Sequence, residues 1–228
     1  MFSVVFEVHP RKEAFDTYLG LAKDLRPILQ AMDGFIDNER FESQRRPGWI
    51  LSHSTWRDEK SVVRWRTVAK HHETQQRGRD DVFQDYHLRV GEIISDTSPP
   101  AVASVVEQRL DETEVGSAKF LTLTEIEPGA ITAGVLGGSG LPDLLKLDRS
   151  NAALVDHEVF SSIYTQGKQA LLASWRDRRS AELFKPTPTY DDARIRHRVV
   201  RVVRDYGMFD RRESPQYYPA LQSGASSR

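Results

Sequence analysis

The side chains best equipped for chemistry gather between Trp56 and Val90. That stretch holds the pair His71-His72, the arginines Arg79 and Arg89, Tyr86, and the aromatics Trp65 and Phe83. His53 stands just before it, between two serines. A neutral imidazole can take a proton or ligate iron near neutral pH. A tyrosine hydroxyl and an arginine in an apolar cavity can orient a phenolate and favour its charged form. Trp65 can stack on a flat molecule. The chain has no cysteine, which excludes disulfides, thiolate metal sites and cysteine nucleophiles. Asp156-His157-Glu158 is compact, but neighbours on a strand point to opposite faces, so it makes no metal site. The glycine-rich stretch Gly134–Gly140 lacks the lysine of a phosphate loop and fits no dinucleotide fingerprint. It reads as a flexible connection or a flap over a cavity mouth.

These residues need a frame to position them. With 228 residues and 39% hydrophobic side chains the chain can bury a real core, as one large domain or two small ones. Its 32 basic and 33 acidic residues leave a net charge of −1, so no nucleic acid or anionic membrane partner is expected. The N-terminus has no signal-peptide pattern, and no apolar run has the roughly 18 residues of a membrane helix. The expected location is cytoplasmic.

Ser3–Val8, Phe35–Ser43, Trp49–Trp56 and Asp85–Ser95 read as strands from their β-branched and aromatic residues. Between them, steps of three and four through Ala14, Tyr18, Leu21, Leu25 and Met32 mark one helix. A second is expected from Glu59 to Gln76, capped by Asp58 and stopped by Gly78. The order β-α-β-β-α-β is the split ferredoxin-like unit. After the break Asp96–Pro100 the pattern returns. Phe2-x7-Pro10 recurs as Phe120-x7-Pro128, Trp56-Arg57-Asp58 as Trp175-Arg176-Asp177, and His87-Leu88-Arg89-Val90 as His197-Arg198-Val199-Val200. We read a tandem duplication. The second copy has a shortened helix near Arg179–Lys185, broken by Pro186 and Pro188. Residues 1–96 form the first unit, 97–118 a linker, 119–210 a degenerate second unit and 211–228 a flexible tail.

A single such unit leaves one apolar sheet face bare, and two units packed sheet to sheet cover it. The expected fold is therefore α+β: two tandem ferredoxin-like units forming a dimeric α/β-barrel as a fused pseudo-dimer, with a cavity between the sheets. A homodimer of this pseudo-dimer is a further expectation.

Residues 1 to about 95 resemble the antibiotic biosynthesis monooxygenase family. The resemblance rests on Leu25-Arg26-Pro27, Gly34-Phe35, Glu39-Arg40-Phe41, Ser54-x-Trp56-Arg57-Asp58-Glu59, Trp65-Arg66, His71, Gln75, Gly78-Arg79, Phe83 and Asp85-Tyr86-x-Leu88-Arg89-Val90. It implies a small oxygenase that uses O₂, without flavin or metal, on an aromatic or quinol-like molecule. His53, His71, Arg79 and Tyr86 are the catalytic candidates; Trp65, His72, Phe83 and Arg89 are the substrate-binding ones. Haem-degrading relatives use a helix histidine as axial ligand, so a haem protein with His71 is an alternative. A non-catalytic binder of a small ligand is another.

The residues themselves allow plainer readings. Along an unbroken helix His72 lies about 20° from Trp65, on the apolar stripe, and His71 about 120° away on its flank. Periodicity thus favours His72 for burial, and resemblance favours His71. Either could be a hydrogen-bonded helix histidine and no more. His53 could be strand-surface polarity, and the repeat puts Leu172 at its place. Arg79 could form a surface ion pair with Asp85. Trp56 recurs as Trp175 and is expected to be core.

Overall fold

A computed structural model describes residues 1–127, 129, 140–186 and 194–215. Eight strands close into one antiparallel barrel in the order β1-β3-β2-β6-β7-β5-β8-β4. In the first half, β1 is Phe2–Pro10, β2 Phe35–Ser43, β3 Ile50–Trp56 and β4 Phe83–Asp96. Helices α1 (Phe15–Gln30), α2 (Glu59–Thr67) and α3 (Ala69–Arg77) lie between them in sequence. The second half has β5 (Phe120–Glu127), a one-turn α4 (Leu141–Leu144), β6 (Leu154–Ser162), β7 (Gln169–Trp175), α5 (Arg178–Leu183) and β8 (Arg194–Gly207). The two half-sheets, 4-1-3-2 and 8-5-7-6, join edge to edge through β2–β6 and β4–β8 pairing. The barrel therefore closes within one chain. The Gly134–Gly140 stretch, apart from Gly140, lies outside the described residues.

The halves correspond in detail. Phe2 pairs with Trp56 as Phe120 pairs with Trp175. The register shifts between Phe35 and Asp37, and again between Leu154 and Asp156. Asp58 caps α2 by accepting from Ser61 N at 2.8 Å, and Asp177 caps α5 through Ser180 N at 2.8 Å. The sequence alignment of the last strands needs one correction. Phe6 faces Leu88, whereas its counterpart Thr124 faces His197. His197 thus corresponds to Leu88, not His87, and a slip of one residue exchanges the two faces of a strand.

The barrel interior is a packed core. Val5, Phe41, Leu51, Leu121, Leu123, Leu172, Val200 and Val202 fill it, as side chains do in small eight-stranded barrels. It also encloses two corresponding ion pairs, Glu7–Arg89 and Glu125–Arg198. A pocket of about 160 Å³ remains among the interior residues Glu7, Arg89, Leu172 and Ser174. The cavity that gathers the helix side chains lies elsewhere, on the outer face of the first half-sheet, beneath α1, α2 and α3. On the matching face of the second half, Leu141, Leu145, Leu147 and Leu171 pack around Phe120 and Trp175. Trp56 and Trp175 are 0% and 2% exposed, as core residues should be.

The long helix expected from Glu59 to Gln76 is two helices. Val68 adopts φ −60°, ψ 124°, which ends α2 and starts α3. Two β-branched residues, Thr67 and Val68, meet at the break, and such side chains crowd a helix backbone. Thr67 Oγ1 also donates back to Arg64 O at 3.0 Å, a bond that competes with regular helix.

Candidate active site

The break at Val68 decides which histidine turns inward. It leaves the Trp65 carbonyl outside the α-helical ladder, and that oxygen accepts from Val68 N at 3.2 Å. His71 Nδ1 donates to the same oxygen at 2.9 Å. The His71 ring stacks on Trp65 with centroids 4.1 Å apart and planes 16° from parallel. His71 lines the cavity, and His72 is exposed. The burial inferred for His72 from one continuous helical period is therefore corrected: the break rotates α3 relative to α2. A carbonyl only accepts, so Nδ1 of His71 carries the proton and Nε2 the lone pair. Burial outweighs the bond to the Trp65 carbonyl and, helped by His72, lowers the His71 pKa to about 4. At neutral pH the ring is an uncharged base.

Tyr86 stands on the opposite wall, on β4. Its Oη accepts from Arg79 Nη1 at 2.9 Å and from Arg211 Nη1 at 2.5 Å. Arg79 is only 4% exposed and is bonded to Tyr86, which corrects the alternative of a surface pair with Asp85. Asp85 Oδ1 accepts from the Tyr86 backbone instead. Phe83 packs edge-on to Phe6, Tyr18 and Tyr86, with centroids 5.9–6.1 Å apart. Gly78 makes that packing feasible, since a Cβ there would meet the Phe83 ring at 2.5 Å. The cavity measures about 250 Å³. Its sheet floor holds Val4, Phe6, Leu88 and Val90 with Asn38, Ser52 and Ser54.

Of the residues singled out in the sequence, the cavity brings together Trp65, His71, Arg79, Phe83 and Tyr86. It does not include His53 or Arg89. Both belong to the alternate strand face, inside the barrel. His53 is 1% exposed and pairs with Ser3 Oγ at 2.8 Å. Burial and the nearby Arg198 lower its pKa to about 4 against the pull of Glu125 and Asp37. Arg89 is bound to Glu7 and donates to Ser174 Oγ at 2.9 Å. Strand alternation separates these two from this cavity: Ser52 and Ser54, the neighbours of His53, line it and His53 does not.

Sequence reasoning missed Tyr18, Asn38, Arg40, Tyr206 and Arg211, all of which line the cavity. Arg211 sits in the segment read as the start of a flexible tail. Among the described residues that segment runs to 215, and Arg211 reaches the Tyr86 hydroxyl from it. Tyr18 was visible only as a member of the apolar stripe of α1. Asn38 and Arg40 alternate with Asp37 and Glu39 on β2, and polarity on both faces of one strand was the available signal.

A haem alternative meets an obstacle in size. Sites for drug-sized ligands span roughly 300–1,000 Å³, a haem is larger than most of these ligands, and this cavity is smaller.

Fold and site together define a ferredoxin-like α/β-barrel with a cavity under the helices of its first half. Solved structures share this fold. An aldoxime dehydratase superposes with a TM-score of 0.57 at 12% identity, over 88% of this chain and 80% of that one. A second, in complex with butyraldoxime, gives 0.57 at 13% over 88% and 79%. Identities this low speak for the fold alone. The family model for antibiotic biosynthesis monooxygenase matches residues 1–77. A jasmonate monooxygenase ABM of Pyricularia oryzae is 43% identical over 225 residues, covering 96% of this chain and 99% of that protein. The chain belongs to the antibiotic biosynthesis monooxygenase family.

Proposed function

We propose that this protein is a monooxygenase that works on a small, largely apolar molecule in the first-half cavity without flavin, haem or metal. One observation carries the reading. A neutral His71 and a Tyr86 hydroxyl held by two guanidinium groups line the same apolar cavity. His71 Nε2 would accept a proton from an acidic C–H or O–H of the substrate. The Tyr86–Arg79–Arg211 group would stabilise the oxyanion so formed, together with reduced oxygen. An electron-rich anion can then pass an electron to O₂. Oxygenation of a methylene balances without an outside reductant: CH₂ plus O₂ gives C=O plus H₂O. Hydroxylation of one C–H needs two further electrons and two protons.

The relative's name supports jasmonate, a cyclic ketone bearing a carboxylate, as the first substrate to test. Quinols and small aromatics are the second class, in keeping with the Trp65–His71 wall. We further propose that the two halves arose by tandem duplication and that the second half became scaffold. The matching registers, caps and buried ion pairs support this, as does the leucine packing where the first half is hollow. All eight strands close into one barrel within the chain, so a second copy is not needed to complete it.

The test is oxygen uptake by purified protein with jasmonic acid, a quinol and a polyphenol. Turnover of one class, reduced at least ~100-fold in His71→Ala, as for loss of a general base, would support the reading. Uptake equal in wild type and His71→Ala would overturn it.

A further inference from the structure

The charge lining the cavity is one-sided. Arg26, Arg40, Arg66, Arg79, Arg204 and Arg211 contribute to the wall, and the sole carboxylate among the lining residues is Glu59. Glu59 is already held by Arg109, at 2.7 and 2.8 Å. Arg79 and Arg211 are committed to Tyr86. Arg40 differs from them. It projects from β2 at the end of the cavity away from β4, beside Tyr18. Among the described residues no carboxylate lies within ion-pairing distance of it, and its Nε is buried without a hydrogen-bond partner. Tyr18 is 6% exposed, and its Oη, buried beside the Arg40 guanidinium, makes no hydrogen bond of good geometry. A partly buried cation without a counter-ion is costly unless a ligand supplies one. The second half, which lacks the cavity, has Val159 at the corresponding position.

We infer that Arg40 and Tyr18 form the anchor for a carboxylate on the substrate. This rests on the monooxygenase reading above and narrows its substrate class to small apolar acids. The guanidinium offers its Nε edge and Tyr18 Oη its proton. The apolar body of the acid then runs across Phe6 and Leu88 toward His71 and Tyr86. Tyr164, from the hairpin joining β6 and β7, completes the anchor. Its Oη accepts from Arg40 Nη1 at 2.8 Å, and Arg26 lies over its ring at 5.3 Å. The second half thus holds the specificity residue of the first.

The test is equilibrium binding, followed by calorimetry, of jasmonic acid, its primary amide and its methyl ester. Charge-assisted hydrogen bonds predict that wild type binds the acid at least about tenfold more tightly than either neutral analogue. Arg40→Met should abolish that preference while leaving ester binding within about threefold. Tyr18→Phe should reduce the preference partly. Arg66→Met is the control, because Arg66 Nε is also unbonded but lies near Tyr206 at the other end. Wild type binding acid and amide equally would overturn the anchor, whatever the stability of the variants. Preference lost in Arg66→Met and kept in Arg40→Met would also overturn it. The two readings fail separately. Acid preference without oxygen uptake would sustain the anchor and remove the oxygenase. Oxygen uptake on neutral quinols without acid preference would do the reverse.

Discussion

Replacing His53 with leucine separates the barrel core from the cavity. The imidazole is 1% exposed, bonded to Ser3 Oγ, and titrates at about 4 in the folded protein. In the unfolded chain it titrates near 6.5. Between those values the unfolded state binds the extra proton, so His53 destabilises the fold as pH falls. With these two values the cost is near zero at pH 7.5 and about 2–3 kcal/mol at pH 4.5. Leucine, the residue found at the corresponding position 172, removes that cost. At pH 7.5 the substitution leaves Ser3 Oγ without its partner, a loss of about 1–3 kcal/mol. Burial of an apolar side chain returns about 1.5–3 kcal/mol. The variant should therefore match wild type within about 1 kcal/mol at pH 7.5. It should be the more stable by about 2–3 kcal/mol at pH 4.5. Urea unfolding at both pH values measures this directly. A stability difference that does not change with pH would refute the buried, neutral state assigned to His53. Turnover at pH 7.5 should stay within about threefold, as expected of a residue sharing no contact with the substrate.

Other perturbations follow from the same geometry. Gly78→Ala drives a Cβ into the Phe83 ring and should cost about 1–3 kcal/mol of stability by overpacking, read as a fall in Tm. Arg89→Met leaves buried Glu7 with Arg46 as its remaining cation and should cost about 1–3 kcal/mol, with Glu7→Gln in the same chain restoring part of it. The pH profile of kcat/KM should hold from neutral pH down toward pH 4 and fall only as the pH drops through about 4, where His71 gains its proton. An acid limb near 6.5 would mean that His71 is not the base.

The strands were legible because β-branched and aromatic runs ended at clear turn residues, and Phe35–Ser43 was read to the residue. The correspondence of the halves was legible because Trp56 and Trp175 hold matching core places, each followed by a helix cap, Asp58 and Asp177. The cavity was not legible. Which face of β3 looks into the barrel depends on closure with strands more than a hundred residues away, and local alternation is symmetric between inside and outside. That His53 and Arg89 would lie on the face away from the first-half cavity was hidden for that reason. His72 was misplaced because one non-helical residue, Val68, interrupts the period that the helical wheel assumes. Arg211 was passed over because its partner, Tyr86, lies 125 residues earlier and no local pattern links them.

The measurement that tests the account most directly is the mass spectrum of the product formed from jasmonic acid under ¹⁸O₂. We expect one labelled oxygen in the product of wild type, the same label in His53→Leu, and loss of product in His71→Ala. Product lost in His53→Leu and retained in His71→Ala would contradict it, and would put the reaction inside the barrel.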